Sequence, residues 1–351
     1  MTFQLYPISA LLGVVLALHG LRKGSLSESG AISAAILGYS CLGNPSSTFG
    51  LLLLAFYFTG SRATKVKADV KAKLEREVEQ LSDKDVSQTG HKAQSGGKRD
   101  VWQVLCNGLT ASIAAILFRA LYGGEVDPST IPSPYHLLTE TDWDQGSSWC
   151  SLDPSSGRGA PRFLILIALG HFSCCMGDTL ASELGILSKS VPRLIINPFR
   201  KVPPGTNGGV SLLGTLMSLL GGVFIGLVCA LVTYHNNPAC SRPTNLIGTS
   251  PWSWHNIVLL GALGGLLGSA LDSILGATLQ RTLYSSKHKQ VLLGRLPARQ
   301  MDVRSKGKPK VDDEDWKVVT GYDVLTNNQV NFVSSLITSL SVAWMGMKVL
   351  V

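Results

Sequence analysis

Apolar residues run through this chain in stretches far longer than a strand or a one-faced helix requires. Runs of about 20 such residues read as membrane-crossing helices, and eight segments qualify: 5–20, 29–43, 48–60, 101–123, 161–187, 210–234, 254–279 and 329–350. The second and third are short, which leaves open tilted spans, a partly re-entrant segment, or a helical hairpin broken at Gly43-Asn44-Pro45. The first has the length of a secretory leader. Met1 to His19 holds no Lys or Arg, however, and Arg22 and Lys23 follow it, so it reads as a retained span.

Composition agrees with the pattern. Of 351 residues, 45% are hydrophobic and 15% are charged, with a mean hydropathy of +0.23. Soluble domains carry roughly 25% charged residues. The expected fold class is all-α: a polytopic integral membrane helical bundle of about eight spans, forming one membrane domain over 1–351. The net charge of +8 would suggest a nucleic-acid footprint in a soluble chain. Here its distribution says otherwise. Of 31 basic residues, 26 fall in one alternating set of loops and four in the other. By the positive-inside rule the rich set is cytosolic. That makes 61–100 and 280–328 cytosolic basic loops, 124–160 an acidic lumenal loop, and both termini lumenal or outside. An endomembrane such as the endoplasmic reticulum fits, and no nucleic-acid partner is expected.

The loops carry a few further readings. A charged helix is expected over about 64–81, followed by a Gln/Ser/Gly-rich linker, and a flexible centre is expected near 300–315. Cys150 and Cys240 fall on the same lumenal side, where they either pair or stay as two thiols. The other five cysteines lie in spans and read as small packing residues.

Ionisable groups inside a membrane are costly and mark function by default. Three acids lie in the apolar runs: Asp178, Glu183 and Asp272. At 1.5 Å per residue, Asp178 and Asp272 each sit about 25 Å from the lumenal entry of their spans, near the cytosolic edge. Asp178 and Glu183 are five residues apart, about 140° around an ideal helix. They share a site only if the helix breaks or ends there, and Gly177 and Gly185 make room for that. Thr179 and Ser182 complete i, i+4 pairs with the two acids.

Other polar groups reach the same level. Arg99, Gln103 and Asn107 recur at i, i+4 and i+8, and Asn327, Asn328 and Asn331 open the last span. Ser61, Arg62, Lys65 and Lys67 follow the third span. Gly205-Thr206-Asn207-Gly208-Gly209 precedes the sixth, with Arg200 and Lys201 before it. Glycines let backbone approach a ligand, and free N–H groups at a helix start favour phosphate. Carboxylates at one depth with phosphate donors nearby suit Mg²⁺. Interhelical hydrogen bonding is the structural alternative for each acid. Gly221-Gly222 and Gly261 to Gly265 read as close helix packing. The similar segments 211–222 and 259–270 reflect either a repeat or Leu/Gly bias. Trp252, Trp254 and Tyr234 read as interfacial anchors and His171 as a packed histidine.

Five ordered motifs carry a family resemblance: RDVWQVLCNG (99–108), GDTLASELG (177–185), KVPPGTNGGVSLLGT (201–215), GSALDSILGA (268–277) and NNQVNF (327–332). They resemble the transmembrane protein 19 family, which includes the plant phytyl-phosphate kinase of tocopherol synthesis. More distantly, GDT-x-A-S is similar to dolichol kinases, phytol kinases and phosphatidate cytidylyltransferases. The resemblance implies a Mg²⁺-dependent kinase of an isoprenyl phosphate that uses CTP or another nucleoside triphosphate. Asp178, Glu183 and Asp272 would then hold Mg²⁺ or orient the acceptor. Lys65, Lys201 and Gly205, Thr206, Asn207, Gly208 and Gly209 would meet phosphates. Arg99, Gln103, Asn107, Thr179, Ser182, Ser273 and Asn331 would complete the pocket. A lipid transporter or flippase, or a non-catalytic membrane scaffold acting through its loops, are the competing expectations. Transport needs polar residues toward the lumen, and the fifth and seventh spans have few there beyond His171 and Ser173.

Overall fold

Each apolar run folds as helix, and local chemistry sets the ends. The structure, a computed structural model, describes residues 6–66, 75–77, 98–122, 150–153, 159–236, 240, 254–286, 289–293 and 316–349. Helix α1 (Pro7–Arg22) starts on a proline, whose missing N–H costs nothing in a first turn. Helix α2 (Glu28–Leu42) is capped by Ser27, whose hydroxyl accepts from Gly30 N at 3.1 Å. Helix α3 (Ser47–Ala63) turns back from it through Gly43–Ser46. That turn is the predicted hairpin break. Asn44 is buried in it; its Nδ2 donates to Ala115 O at 2.7 Å, while its Oδ1 accepts from Ser46 N at 3.1 Å and Gly43 N donates to Tyr39 O, so these N–H groups of the irregular turn are satisfied by protein.

The fourth predicted span is not one helix. It divides into α4 (Val101–Cys106), capped by Asp100, and α5 (Leu109–Tyr122), with the break at Asn107-Gly108. The remaining helices are long: α6 (Ala160–Gly185), α7 (Leu212–Asn236), α8 (Trp254–Leu279) and α9 (Asn327–Val349). These four alone are long and apolar enough, among the described residues, to cross a membrane by length and composition. At 15, 16 and 17 residues, α2, α1 and α3 are shorter.

The expected helical bundle is the fold, and the segments joining its helices add structure at one end. Two small sheets form there among the described residues. One has the order β3-β2-β4, from β2 (Arg193–Leu194), β3 (Asn197–Lys201) and β4 (Gly209–Val210). The other has the order β1-β6-β5-β7, from β1 (Glu75–Glu77), β5 (Thr282–Ser285), β6 (Gln290–Leu293) and β7 (Trp316–Thr320). The helix expected over 64–81 fails where it can be compared: α3 ends at Ala63, and Glu75–Glu77 pairs in parallel with Val291–Leu293. Backbone pairing with a distant strand overrides local helix propensity. The 81–97 linker and the 300–315 segment lie outside the described residues, as does Trp252.

Helix α6 is the centre of the bundle and packs against α3, α5, α7, α8 and α9. Nearly every side chain from Pro161 to Gly177 is buried. By contrast α1 buries only Gly13, Ala17 and Gly20 and leaves Ile8, Leu11 and Val15 exposed, an apolar face suited to lipid. Glycines set the α6–α7–α8 spacing. A Cβ on Gly177 would lie 2.6 Å from Gly265 O, and one on Gly265 would lie 2.8 Å from the Gly222 Cα. The expected close packing is realised, and the two similar Leu/Gly segments face each other across it.

One end of the bundle is closed around two arginines, one buried and one half-buried. Arg162, in the first turn of α6, is 1% exposed and donates to Met347 O at 2.6 Å. Arg119 of α5 lies over the rings of Tyr6 and Tyr39. Cys150 and Cys240 form a disulfide at this end, packed with Leu152, Leu164 and Phe118. Tyr6, just before α1, and Met347, near the end of α9, both lie here.

Candidate functional site

The opposite end holds the acids. Gly177 presses against Gly265, so the α6 face bearing Cys174 and Asp178 meets the α8 face bearing Gly265, Ser269 and Asp272. Gly268 carries that contact on, since a Cβ there would meet Cys174 Sγ at 2.5 Å. Asp178 therefore faces Ser269 and lies within electrostatic reach of Asp272. Both carboxylates are half-buried.

Asp272 is held from a third helix. Its Oδ2 accepts from Ser334 Oγ at 3.0 Å. With its amide oriented to satisfy both neighbours, Asn331 donates to the same oxygen at 3.2 Å and to Asn327 O at 3.1 Å. Asn331 was expected; Ser334 was not. It stands three residues beyond Asn331 on the same face of α9, and that i, i+3 spacing was the available signal. Thr338, a further turn on, and Ser334 both reach Cys174.

Glu183 does not join the pair. Helix α6 runs unbroken through Gly185, so Glu183 stays about 140° from Asp178. Among the described residues no three His, Cys, Asp or Glu side chains gather to hold a metal ion. The expected three-acid set is thus a two-acid set. Ser182 is exposed, and its hydroxyl donates to the backbone carbonyls of Asp178 (2.9 Å) and Thr179 (3.2 Å), not to a carboxylate. Thr179 packs on the end of α3, 3.7 Å from where a Gly60 Cβ would stand.

The glycine-rich loop lies beside the acids but is built differently from the expectation. Gly208, at φ +74°, fits against Ser273 O and Ala277 of α8, where no Cβ could be accommodated. That seats the loop one residue past Asp272. It does not open α7 directly, because β4 and the capping Ser211 intervene; Ser211 Oγ accepts from Gly214 N and donates to Gly185 O, at 3.1 Å each. Three of its N–H groups are already used: Thr206 N to Pro203 O, Asn207 N to Thr282 Oγ1 and Gly209 N to Thr206 O. Through Gly208 on α8 and Asn207 on β5, the loop joins α8 to the sheets. Gly205, also at positive φ, makes the turn into it.

Arg99, Gln103 and Asn107 do not form one helical face. Arg99 precedes α4 and is fixed by its backbone in a parallel bridge to Leu26. Gln103 lies on α4, with its buried Oε1 lacking a hydrogen-bond partner. Asn107 ends α4, and its carbonyl, freed by the helix break, bonds to His171 Nε2 at 3.0 Å. His171 is the packed histidine expected. Lys65 is exposed beyond the end of α3, beside Lys23, which holds its ammonium below the ordinary lysine value by hydrogen bonding and repulsion. Lys201 is exposed at the end of β3. Arg281 and Asp323, a partly buried pair at 3.3 Å, brace the sheet at its junction with α8.

A helical bundle with long apolar helices, a lipid-suited exterior and an acid pair at one end defines a polytopic membrane protein. The chain belongs to the Integral membrane protein DUF92 family, whose pattern matches residues 11–339. It is 31% identical over 331 residues to Protein PGR of Arabidopsis thaliana, covering 94% of this chain and 92% of that protein. It is also 27% identical over 286 residues to an uncharacterized membrane protein of Methanocaldococcus jannaschii, covering 81% and 88% of the two chains. The expected family resemblance is borne out. No solved structure matches the chain.

Proposed function

We propose that this protein is a Mg²⁺-dependent, nucleotide-using kinase of an isoprenyl phosphate, working at the end of the bundle where Asp178 and Asp272 meet. The observation that carries the reading is that pair: two carboxylates from separate helices, one of them fixed by Ser334 and Asn331. Such a set fits Mg²⁺, which takes one or two carboxylates and completes its shell with water and phosphate oxygens. When bound, the ion supplies charge neutralisation for the transferring phosphoryl group. Asp178 and Asp272 would hold it, Asn331 and Ser334 would keep the Asp272 carboxylate oriented, and Lys201 would add positive charge on the approach. The isoprenoid tail would stay in the bilayer.

Orientation supports the reading. A disulfide belongs in an oxidising compartment, and described basic residues such as Lys65, Arg99, Lys201 and Arg281 lie at the other end. The acid pair would then face the cytosol, where nucleotides are, with both termini in the lumen of an endomembrane such as the endoplasmic reticulum.

The test is a transfer assay on purified full-length protein with Mg²⁺, a panel of CTP, ATP, GTP and UTP, and farnesyl to geranylgeranyl monophosphates. Asp178→Asn and Asp272→Asn are expected to abolish transfer at unchanged protein abundance. Full activity in both variants would refute the assignment.

A transporter reading draws on buried hydroxyls beyond the acid pair, at Ser173, Ser335, Thr338 and Ser339. Ser335 and Ser339 donate to their own helix, however, and the far end is closed by Arg162 and packed apolar groups. Those features favour an interfacial enzyme over a path through the membrane. Failure of every nucleotide–lipid combination, with lipid movement in reconstituted vesicles, would favour transport.

A further inference from the structure

Between the two small sheets lies a cleft of about 420 Å³, lined by Val191, Lys201, Val202, Pro203, Pro204, Tyr284 and Lys289. Its size falls within the range of small-molecule sites, roughly 300–1,000 Å³. Its walls come from both sheets, which share a small core of Leu194, Val202, Ala277 and Val319 and are tied by Arg200 donating to Val319 O at 2.8 Å. The chemistry is divided. Val191, Val202, Pro203 and Pro204 make an apolar surface, Tyr284 adds an aromatic ring, and Lys201 and Lys289 bring two ammonium groups.

The cleft is wired to the acid pair by short steps. Ser273, next to Asp272, touches Gly208, and the neighbouring Asn207 N donates to Thr282 Oγ1. Tyr284 stands two residues further along β5, about 7 Å.

We propose that this cleft holds the base and ribose of the phosphate donor, with its phosphates running past Lys201 toward Asp178 and Asp272. The proposal rests on the kinase reading and locates its nucleotide. A flat ring carrying several negative charges matches an apolar, aromatic wall flanked by lysines; every base offers a face for stacking, and phosphate binding by lysine is a matter of point charge. Neither Tyr284 nor Lys289 belongs to a motif that marked the site in the sequence.

The experiment is equilibrium binding of N-methylanthraniloyl-labelled CTP and ATP to full-length protein in neutral phosphatidylcholine nanodiscs. Tyr284→Ala is expected to weaken binding about tenfold, Tyr284→Phe to restore it, and Lys289→Ala to weaken it several-fold with a shallower salt dependence. The Asp178→Asn/Asp272→Asn double variant should still bind probe without Mg²⁺. Unlabelled nucleotide should displace the probe far better than tripolyphosphate or nanodiscs doped with phosphatidylserine. Wild-type binding and transfer that Tyr284→Ala and Lys289→Ala leave unchanged would overturn the cleft and spare the kinase. Equal displacement by tripolyphosphate or anionic lipid would overturn it too, as a mere anion patch. No nucleotide binding by the wild type would remove both readings.

Discussion

The glycine contact beneath Asp178 gives the sharpest prediction. In Gly177→Ala, the new methyl would stand 2.6 Å from Gly265 O and 2.7 Å from Gly265 Cα. Both are backbone atoms of α8, so no side chain can turn aside, and α6 and α8 must separate. Overpacking of this kind costs about 1–3 kcal/mol. Alanine in a helix gains up to about 1 kcal/mol over glycine; with both contacts on rigid backbone the cost falls in the upper part of that range, and a net destabilisation of about 1–2 kcal/mol remains. Gly60→Ala is the internal control: its nearest neighbour, Thr179 Cγ2, would be 3.7 Å away, an ordinary contact. It should be neutral or stabilising. Thermal unfolding of purified protein, followed by labelling of the buried Cys174 and Cys175 thiols, distinguishes the two. Gly177→Ala should expose the thiols at lower temperature, and Gly60→Ala should not. Because Asp178 adjoins the displaced contact, Gly177→Ala should also lose more transfer activity than its stability loss explains. A Gly177→Ala protein as stable as wild type would refute the close approach of α6 and α8.

Other expectations follow from the same geometry. Ser334→Ala should weaken Mg²⁺ activation about 10- to 100-fold, the usual effect of losing a group that orients a metal ligand, with Ser334→Thr recovering most of it; unchanged Mg²⁺ titrations would remove Ser334 from the site. Glu183→Gln, which leaves the two-acid pair intact, should keep transfer within a few-fold of wild type where Asp178→Asn does not. Cys150→Ser and Cys150→Ser/Cys240→Ser should lower thermal stability equally, by a disulfide's worth of about 2–5 kcal/mol, and non-reducing peptide mapping should recover the linked pair from the wild type. Lys65 has a folded pKa below the ordinary lysine value. Between the two values the unfolded chain therefore binds more protons, and this group's contribution to stability rises with pH through that window. Lys23→Gln should relieve it, seen as slower acylation of Lys65 at fixed pH.

The bundle was legible because hydrophobic run length speaks directly to bilayer thickness. The acids were legible because charge inside such runs is rare. What failed has identifiable causes. Segment 101–123 reads as one apolar run, yet Asn107-Gly108 breaks it, and the freed carbonyl finds His171, 64 residues away in sequence. Arg99, Gln103 and Asn107 therefore never share a face. The short strands at 193–210 and 282–320 carry too little alternation to be read locally, since their partners come from other segments. Ser334 is one hydroxyl among several on α9, and only its bond to Asp272 across the helix contact sets it apart.

By itself the sequence determined that this is a multi-pass membrane protein, where its positive charge collects, and which acids fall within its apolar runs. Those are properties of composition along a line, and the bilayer reads a line. Only the tertiary structure decided which acids meet. Asp178 joins Asp272, 94 positions away, and not Glu183, five away. Glycines let two helix backbones approach closely, and a continuous helix turns its own neighbours apart.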